Sequence, residues 1–214
     1  MERTAAASTD DAISRTFQLG HDIVAEYAVD ATPPGEPVRQ SVTFIRHPCY
    51  SGAMAEIIEA QTDEHYRRAR RLIEAYAAEL GMDLEFQGFS DELNALATMY
   101  GPPQGAMLLL RDGGSWIGCA GLRPLEKGIA ELKRMFIRPE HRGRGLGHVL
   151  MDALIATARQ LGCEAIRLDT LASLRPALAL YRRSGFVEIR PYRHTPLPQA
   201  VFLELAVKPA PSAP

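Results

Sequence analysis

The chain has 214 residues, of which 46% are hydrophobic and 23% are charged, and this is the composition of an ordinary globular domain. The formal net charge of −2 argues against a general nucleic-acid-binding surface. The cysteines are three in number and widely spaced, which predicts neither a disulfide framework nor a zinc site and fits a reducing cytoplasm. No signal peptide and no apolar run of membrane-spanning length is apparent, so we expect a cytoplasmic protein without a membrane partner.

The first 54 residues are expected to be a partly ordered N-terminal extension. Apolar residues in Ala12 to Tyr27 fall roughly on one side of a helix, which predicts a helix there. A proline-rich break follows at 31–37, and Val42 to Ile45 is predicted to be a short strand. We interpret this segment as a tail or a partner-contact arm rather than as a catalytic part of the protein.

The main domain is predicted to cover residues 55–207. Glu56 to Ala60 has the pattern of a strand, and Thr62 or Asp63 can cap the helix that follows. That helix carries an apolar stripe at spacings of three and four and ends at Gly81. A second, short helix is predicted at Ser90 to Leu96, with Ser90 as its cap.

A hairpin comes next. Ala106 to Leu110 and Trp116 to Leu122 are predicted strands, and the Asp112-Gly113-Gly114 sequence between them is typical of a tight turn. A central strand is predicted at 129–137, and Pro139 prevents it from continuing.

The last part of the domain alternates helices and strands. An apolar helix runs to Gly162, Ala165 to Asp169 is a short buried strand, and Ser173 is predicted to cap a helix through Ser184. Phe186 to Ile189 and Val201 to Ala206 are the final predicted strands, and 208–214 is expected to be a disordered tail. This order of elements predicts a mixed sheet with helices on both faces.

The central strand is followed by the glycine-rich sequence Arg142-Gly143-Arg144-Gly145-Leu146-Gly147. Glycines lack Cβ atoms, so their N–H groups can converge on one ligand, and the helix that follows adds unpaired N–H groups and partial positive charge. The combination predicts an anion site suited to a phosphate or pyrophosphate. It is not a dinucleotide fingerprint, because Leu150 stands where the third glycine would be, and it is not a P-loop.

This R-x-x-G-x-G pattern resembles the coenzyme A pyrophosphate loop of the GNAT acyltransferases. The sequence A-L-Y-R-R-S-G-F at 179–186 is similar to a signature of the last helix in that family. The resemblance covers roughly 55–207. It implies an α/β (α+β) GNAT acyl-CoA N-acyltransferase fold with a mixed central sheet, and an N-acetyltransferase that uses acetyl-CoA as co-substrate and no metal.

The resemblance also implies two catalytic residues. Glu131, on the central strand, matches a family glutamate that acts as general base toward the acceptor ammonium. The alternative for Glu131 is a structural ion pair with Lys133, two residues along the same strand. Tyr181 matches a tyrosine that protonates the departing thiolate, and its alternative is core packing.

The expected coenzyme A contacts follow from the same match. Residues of the central strand would form backbone hydrogen bonds with the pantetheine arm, and the glycine-rich loop would hold the pyrophosphate. An arginine of the late helix, Arg182 or Arg183, would reach the 3′-phosphate. The family often has an asparagine where this chain has Leu174, and Ser173 is predicted to substitute for it. The predicted set is Met135, Phe136, Ile137, Arg142, Gly143, Arg144, Gly145, Leu146, Gly147, Ser173 and Arg182.

The acceptor is the open question. The segment around Phe86 and Gln87 and the late loop from Tyr192 to Pro198 are expected to border its cleft. Arg123, Lys133 and Arg134 would attract a carboxylate, which suits an amino acid or a small acidic metabolite. A peptide N-terminus or a lysine is the alternative acceptor, and a non-catalytic acyl-CoA-binding regulator is the alternative function. A homodimer is compatible with the sequence, but nothing in the sequence requires one.

Overall fold

The structure is a computed structural model that describes residues 55–207, together with three strands before them at 12–18, 24–30 and 42–46. The helix predicted from Ala12 is wrong, because this segment contains the strands β1 (Ala12–Gln18) and β2 (Val24–Asp30), which pair antiparallel. Pairing between segments distant in the chain overrides the local helical spacing here. The strand predicted at Val42 to Ile45 is confirmed as β3 (Val42–Arg46). The predicted tail 208–214 lies outside the described residues.

From residue 55 onward, seven strands and five α-helices are described. The strands are β4 (Ala55–Glu59), β5 (Ala106–Asp112), β6 (Ser115–Glu126), β7 (Ile129–Ile137), β8 (Ala165–Leu171), β9 (Val187–Ile189) and β10 (Ala200–Ala206). The helices are α1 (Asp63–Leu80), α2 (Phe89–Asn94), α3 (Leu96–Tyr100), α4 (Leu146–Gln160) and α5 (Arg175–Arg183).

The described strands form one sheet in the order β1-β2-β3-β4-β5-β6-β7-β8-β10-β9. Neighbouring strands run antiparallel except β7 and β8, which are parallel. The predicted mixed sheet is therefore confirmed. The one parallel pair is joined by α4, as a crossover between parallel strands requires.

Helices cover both faces of the sheet, and β5 shows how. Leu108 and Leu110 belong to a buried cluster with α4 and α5, whereas Met107 and Leu109 belong to a second cluster with α1 and α3. Successive side chains of a strand point to opposite faces, so a strand buried on both sides has an uninterrupted apolar sequence.

The predicted caps are partly right. Thr62 accepts a hydrogen bond from the His65 N–H at 3.2 Å and starts α1, and Gly81, with φ of 63°, ends it. Ser90 does not cap α2, since it lies inside that helix and its hydroxyl donates to Glu85. Ser173 does not cap α5 either: the cap position is Leu174, which makes no side-chain hydrogen bond.

The helix α3 was not predicted from the sequence. Among the described helices, none combines the length and apolarity that a membrane span needs.

Candidate active site

The strands β7 and β8 separate partway along their length and leave a cavity. They pair only from Ile129 to Glu131 against Ala165 to Arg167. Beyond this point a cavity of about 700 Å³ lies between them, bordered by Lys133 to Ile137 on one side and Leu168 to Leu171 on the other. The three residues predicted to contact the pantetheine arm, Met135, Phe136 and Ile137, all border this cavity.

A β-bulge distorts β7 beside the cavity. Cys119 of β6 lies opposite Phe136, but Gly121 lies opposite Lys133, so β7 contains one extra residue between these pairs. Arg134, within this stretch, has a φ of 57°, which is unfavourable for a residue with a side chain. Bulges redirect the groups that follow them, and this one lies where β7 borders the cavity.

Glu92 on α2 holds the bulged residue in place. The Arg134 guanidinium donates two hydrogen bonds to Glu92, at 2.8 and 2.7 Å, and both side chains are buried. The Tyr100 hydroxyl donates to the same carboxylate at 2.7 Å. Burial alone would raise the pKa of Glu92, but the hydrogen bonds and charge of Arg134 hold it below its ordinary value, so the carboxylate is ionised.

The glycine-rich loop lies at the other end of the cavity. Gly143 and Gly145 each have a φ of 76°, and Gly145 directly precedes α4. Gly147 lies in the first turn of α4 and has no positive φ, so only two of the three glycines serve an unusual backbone angle. The N–H groups of Gly143, Gly145, Leu146 and Gly147 donate to no acceptor in the described part of the chain. These groups and the N-terminus of α4 lie together at the place where the anion site is predicted.

The arginines beside the loop differ in where they point. Arg142 borders the cavity and donates to the Ile137 carbonyl at 2.8 Å, which ties the loop to the end of β7. Arg144 does not border the cavity, and its guanidinium lies 3.2 Å from Asp112. Arg182 is 60% exposed and lies 3.9 Å from Glu188, whereas Arg183 borders the cavity. Of the two alternatives for a contact to the 3′-phosphate, Arg183 is the better placed.

Tyr181, on α5, borders the cavity. Ser173 and Leu174, just before α5, border it as well. Tyr181 is 8% exposed, and its ring packs against Phe186, with ring centroids 5.8 Å apart. Its hydroxyl forms no hydrogen bond with the described part of the chain. Burial raises the pKa of Tyr181, so the phenol is protonated and can donate to a ligand in the cavity.

Glu131 is 1% exposed and does not border the cavity. Arg123 donates to Oε2 from Nε at 2.9 Å, with its Nη2 at 2.7 Å. The Tyr192 hydroxyl donates to Oε1 at 2.9 Å, and Arg193 lies 3.5 Å from the same atom. The ion-pair partner is therefore Arg123 rather than Lys133, the partner considered from the sequence. Arg123, predicted to contact the acceptor, faces Glu131 and is not part of the cavity border.

Lys133 and Gln87 do border the cavity, as predicted for acceptor contacts, whereas Phe86 does not. Lys133 Nζ donates to Gln87 Oε1 at 3.1 Å and to Asp169 Oδ1 at 3.3 Å. Burial lowers the pKa of Lys133 against the opposing attraction of Asp169. Burial would raise the pKa of Asp169, but Lys133 and Arg193 together lower it, so this carboxylate is ionised.

Sequence reasoning missed Asp169, Glu92 and the side-chain role of Arg193. Asp169 could have been found, because it is an acidic residue within a short, otherwise mostly apolar strand, where a charge is costly unless it is paired. Glu92 gives no such signal, since an acidic residue on a short helix is ordinarily exposed. Within 55–207, no group of three or more histidine, cysteine or acidic residues could hold a metal ion.

Comparison with known proteins agrees with this geometry. Residues 70–186 match the Acetyltransferase (GNAT) family. An uncharacterised N-acetyltransferase of Schizosaccharomyces pombe is 42% identical over 138 residues, which are 64% of this chain and 85% of that protein. The IAA acetyltransferase of Azospirillum brasilense is 34% identical over 104 residues, 48% of this chain and 68% of that protein.

A solved structure shares the fold. A Klebsiella pneumoniae protein assigned to the acyl-CoA N-acyltransferases is 31% identical, with a TM-score of 0.57, and the match covers 73% of this chain and 99% of that one. The chain belongs to the GNAT acetyltransferase family, and it is an acyltransferase enzyme.

Proposed function

We propose that this protein transfers the acetyl group of acetyl-CoA directly to the amine of a small molecule, such as an amino acid or an acidic metabolite. One observation carries the proposal: a single cavity is bordered by the glycine loop, by Tyr181 and by the cation Lys133. An anion site, a proton donor and an acceptor-binding charge are thus available to one bound pair of substrates. Holding two reactants in one site replaces a bimolecular encounter with a positioned one.

The residues present fit coenzyme A. The loop offers the four unbonded N–H groups described above, which suit a pyrophosphate. Arg142 and Arg183 border the same cavity and provide charge for phosphate oxygens. Met135, Phe136 and Ile137 border the narrow part, where a pantetheine arm would lie along β7. When bound, acetyl-CoA supplies the activated acetyl group as a thioester.

The protein's own groups would protonate the leaving thiolate and polarise the thioester carbonyl. Tyr181 would donate its proton to the departing sulfur, which its burial in the cavity wall and unbonded hydroxyl support. A backbone N–H of β7, redirected at the bulge, would polarise the carbonyl.

For the proton of the acceptor ammonium, two carboxylates are candidates. Glu131 is the base that the family resemblance predicts, but both of its oxygens are engaged and it lies behind the cavity wall. Asp169 borders the cavity and is ionised, so exposure favours Asp169.

The charge of the site favours an acceptor that carries a carboxylate. The described network, which is largely buried, contains the cations Arg123, Lys133, Arg134 and Arg193 and the carboxylates Glu92, Glu131 and Asp169. Four positive charges against three negative ones leave one formal positive charge. Lys133 and Arg134 both border the cavity, but the Arg134 guanidinium donates two hydrogen bonds to Glu92, which leaves Lys133 as the better placed cation for a ligand. A substrate carboxylate would compensate it.

A thiol-release assay over an amine panel tests the acceptor class. The panel pairs free amino acids with their C-terminal amides, which keep the α-amine but lack the carboxylate, and includes a lysine-containing peptide. We expect the free acids to be acetylated at least about tenfold faster than their amides, because a hydrogen bond to a charged group contributes about 1.5–3 kcal/mol. Preference for the peptide would assign a protein acceptor, and no release with any amine would favour the non-catalytic regulator.

A further inference from the structure

The cavity of this acetyltransferase contains a primary amine of its own. The side chain of Lys133 is 5% exposed, and it borders the same cavity as the glycine loop and Tyr181. Within the described residues its acceptors are Gln87 Oε1 at 3.1 Å and Asp169 Oδ1 at 3.3 Å. An ammonium group has three N–H donors, so these two bonds leave one of them for a ligand in the cavity.

Lys133 is the one lysine in the described network, whose other cations, Arg123, Arg134 and Arg193, are all arginines. The chain has 24 lysine and arginine residues, and the lysines among them are Lys127, Lys133 and Lys208. Arginine keeps its proton at any ordinary pH, whereas a buried lysine can lose one and become a nucleophile. Of the cations in the buried network, Lys133 alone can therefore accept an acyl group.

We propose that Lys133 Nζ accepts the acetyl group when no substrate amine occupies the cavity, so that the enzyme acetylates itself at this residue. The inference rests on the proposed use of acetyl-CoA. Asp169, already hydrogen-bonded to Nζ, takes one proton from the ammonium group. The electron pair on Nζ forms a bond to the carbonyl carbon, the carbon–sulfur bond breaks, and Tyr181 protonates the sulfur. A second proton from Nζ passes through solvent to restore Tyr181, the proton on Asp169 leaves to solvent, and an amide N–H remains.

Self-acetylation would inactivate the site. The modification removes the positive charge of Lys133 and places an acetyl group where it faces the cavity. The buried network would lose its one excess positive charge and, with it, the proposed contact to the carboxylate of the acceptor. A carboxylate-bearing acceptor bound at Lys133 should therefore protect the residue from modification.

Peptide mass spectrometry after incubation of the full-length protein with acetyl-CoA, without added amine, tests the proposal. We expect acetyl-Lys133 to form at least about tenfold faster than acetyl-Lys127, which is exposed on the turn between β6 and β7. Tyr181→Phe should slow modification of Lys133 by at least about tenfold, a threshold just below the usual range for loss of a general acid, and leave that of Lys127 unchanged. Lys133→Arg should abolish the site, and the matched control Lys127→Arg should preserve it.

The possible results separate this inference from the proposed function. Thiol release with substrate amines but an unmodified Lys133 would overturn self-acetylation and leave the proposed function intact. Equal modification of Lys133 in wild type and Tyr181→Phe would also overturn it, since the reaction would then be chemical acetylation. Should Tyr181→Phe fail to fold, Gly147→Asp provides the second inactive variant. Failure to bind acetyl-CoA would overturn both.

Discussion

At the scale of single residues, Glu131 and Asp169 are the two candidates for the general base, a role that the sequence match assigns to Glu131. Glu131 is enclosed by Arg123 and Tyr192, whereas Asp169 borders the cavity. A buried carboxylate whose oxygens are both hydrogen-bonded can position neighbouring side chains without exchanging protons with a substrate. The two residues lie on the neighbouring strands β7 and β8, so their roles can be compared by matched amide substitutions.

Rate–pH profiles of Glu131→Gln and Asp169→Asn distinguish the base. The amide keeps the shape of the side chain but cannot accept a proton, so the variant that removes the base should lose kcat/KM most at neutral pH and recover in part as free amine accumulates at higher pH. We expect this pattern from Asp169→Asn.

The profile for Glu131→Gln should instead run parallel to that of wild type, with kcat within about twofold and a loss of folding stability, because Arg123 loses a buried partner. A neutral-pH loss in Glu131→Gln that recovers at higher pH would contradict this and return the base role to Glu131.

At the scale of elements, the turn into α4 is the part of the site that depends least on side chains. The N–H groups of Gly143, Gly145, Leu146 and Gly147 donate to no acceptor among the described residues, and they lie at the N-terminus of a 15-residue helix. Gly147 offers the cleaner position for a test than Gly145, because it needs no positive φ and a Cβ there would lie 3.4 Å from Leu180. A substitution at Gly147 can therefore change charge with little backbone strain.

Gly147→Asp should abolish detectable acetyl-CoA binding while the domain remains folded, because it places a carboxylate beside the proposed phosphate site. Gly147→Ala is the matched control, since it adds the Cβ without the charge, and should bind within a few-fold of wild type. Titration calorimetry measures both. Unchanged affinity in a folded Gly147→Asp variant would show that the phosphates bind elsewhere.

The bulge in β7 depends on α2 through Glu92. Glu92→Gln leaves Arg134 buried without a counter-ion and should lower the free energy of unfolding by about 3–5 kcal/mol at neutral pH. The pKa of Glu92 is lower in the folded state, so its stabilisation is present above the unfolded-state pKa of about 4.3 and is lost as the pH falls through the folded value. The stability difference between wild type and Glu92→Gln should therefore shrink in acid.

Denaturant unfolding of the two proteins at pH 7 and at about pH 3 measures this difference. Glu74→Gln is the matched control, because its partner Arg70 is about as exposed as Glu74 itself and such surface pairs contribute little. A Glu92→Gln variant as stable as wild type at pH 7 would show that the pair does not hold the bulge.

At the scale of the whole molecule, most elements of the main domain could be predicted because their signals are local. Thr62 and Gly81 mark the ends of α1, and the two glycines after Asp112 mark the hairpin. The strands β1 and β2 could not, because β1 is defined by its pairing with β2 rather than by its own spacing. Ser173 failed as a cap because the chain continues as a turn to Leu174 before α5 begins.

In the candidate site, too, some parts could be predicted from the sequence and others could not. The loop and Tyr181 could be placed from short motifs, and both border the cavity. The charged network could not be predicted, because Glu92 and Arg134 are 42 residues apart in the chain and Tyr192 and Glu131 are 61 apart. Such partners are brought together only by the packing of α2, the sheet and the late loop. Arg123 was predicted to face the acceptor and instead faces Glu131, which lies opposite it in the pairing of β6 and β7.

Acetyl transfer is proposed to take place in the cavity that joins the glycine loop to Tyr181, and Tyr181→Phe tests this most directly. The measurement is kcat for thiol release with the best amine of the panel, alongside the acetyl-CoA dissociation constant of the same protein. We predict that kcat falls about ten- to a thousandfold, because a phenylalanine ring has no hydroxyl proton to give to the sulfur, while the affinity changes little. Wild-type kcat in the folded variant would contradict the account and make Tyr181 a packing residue of the core.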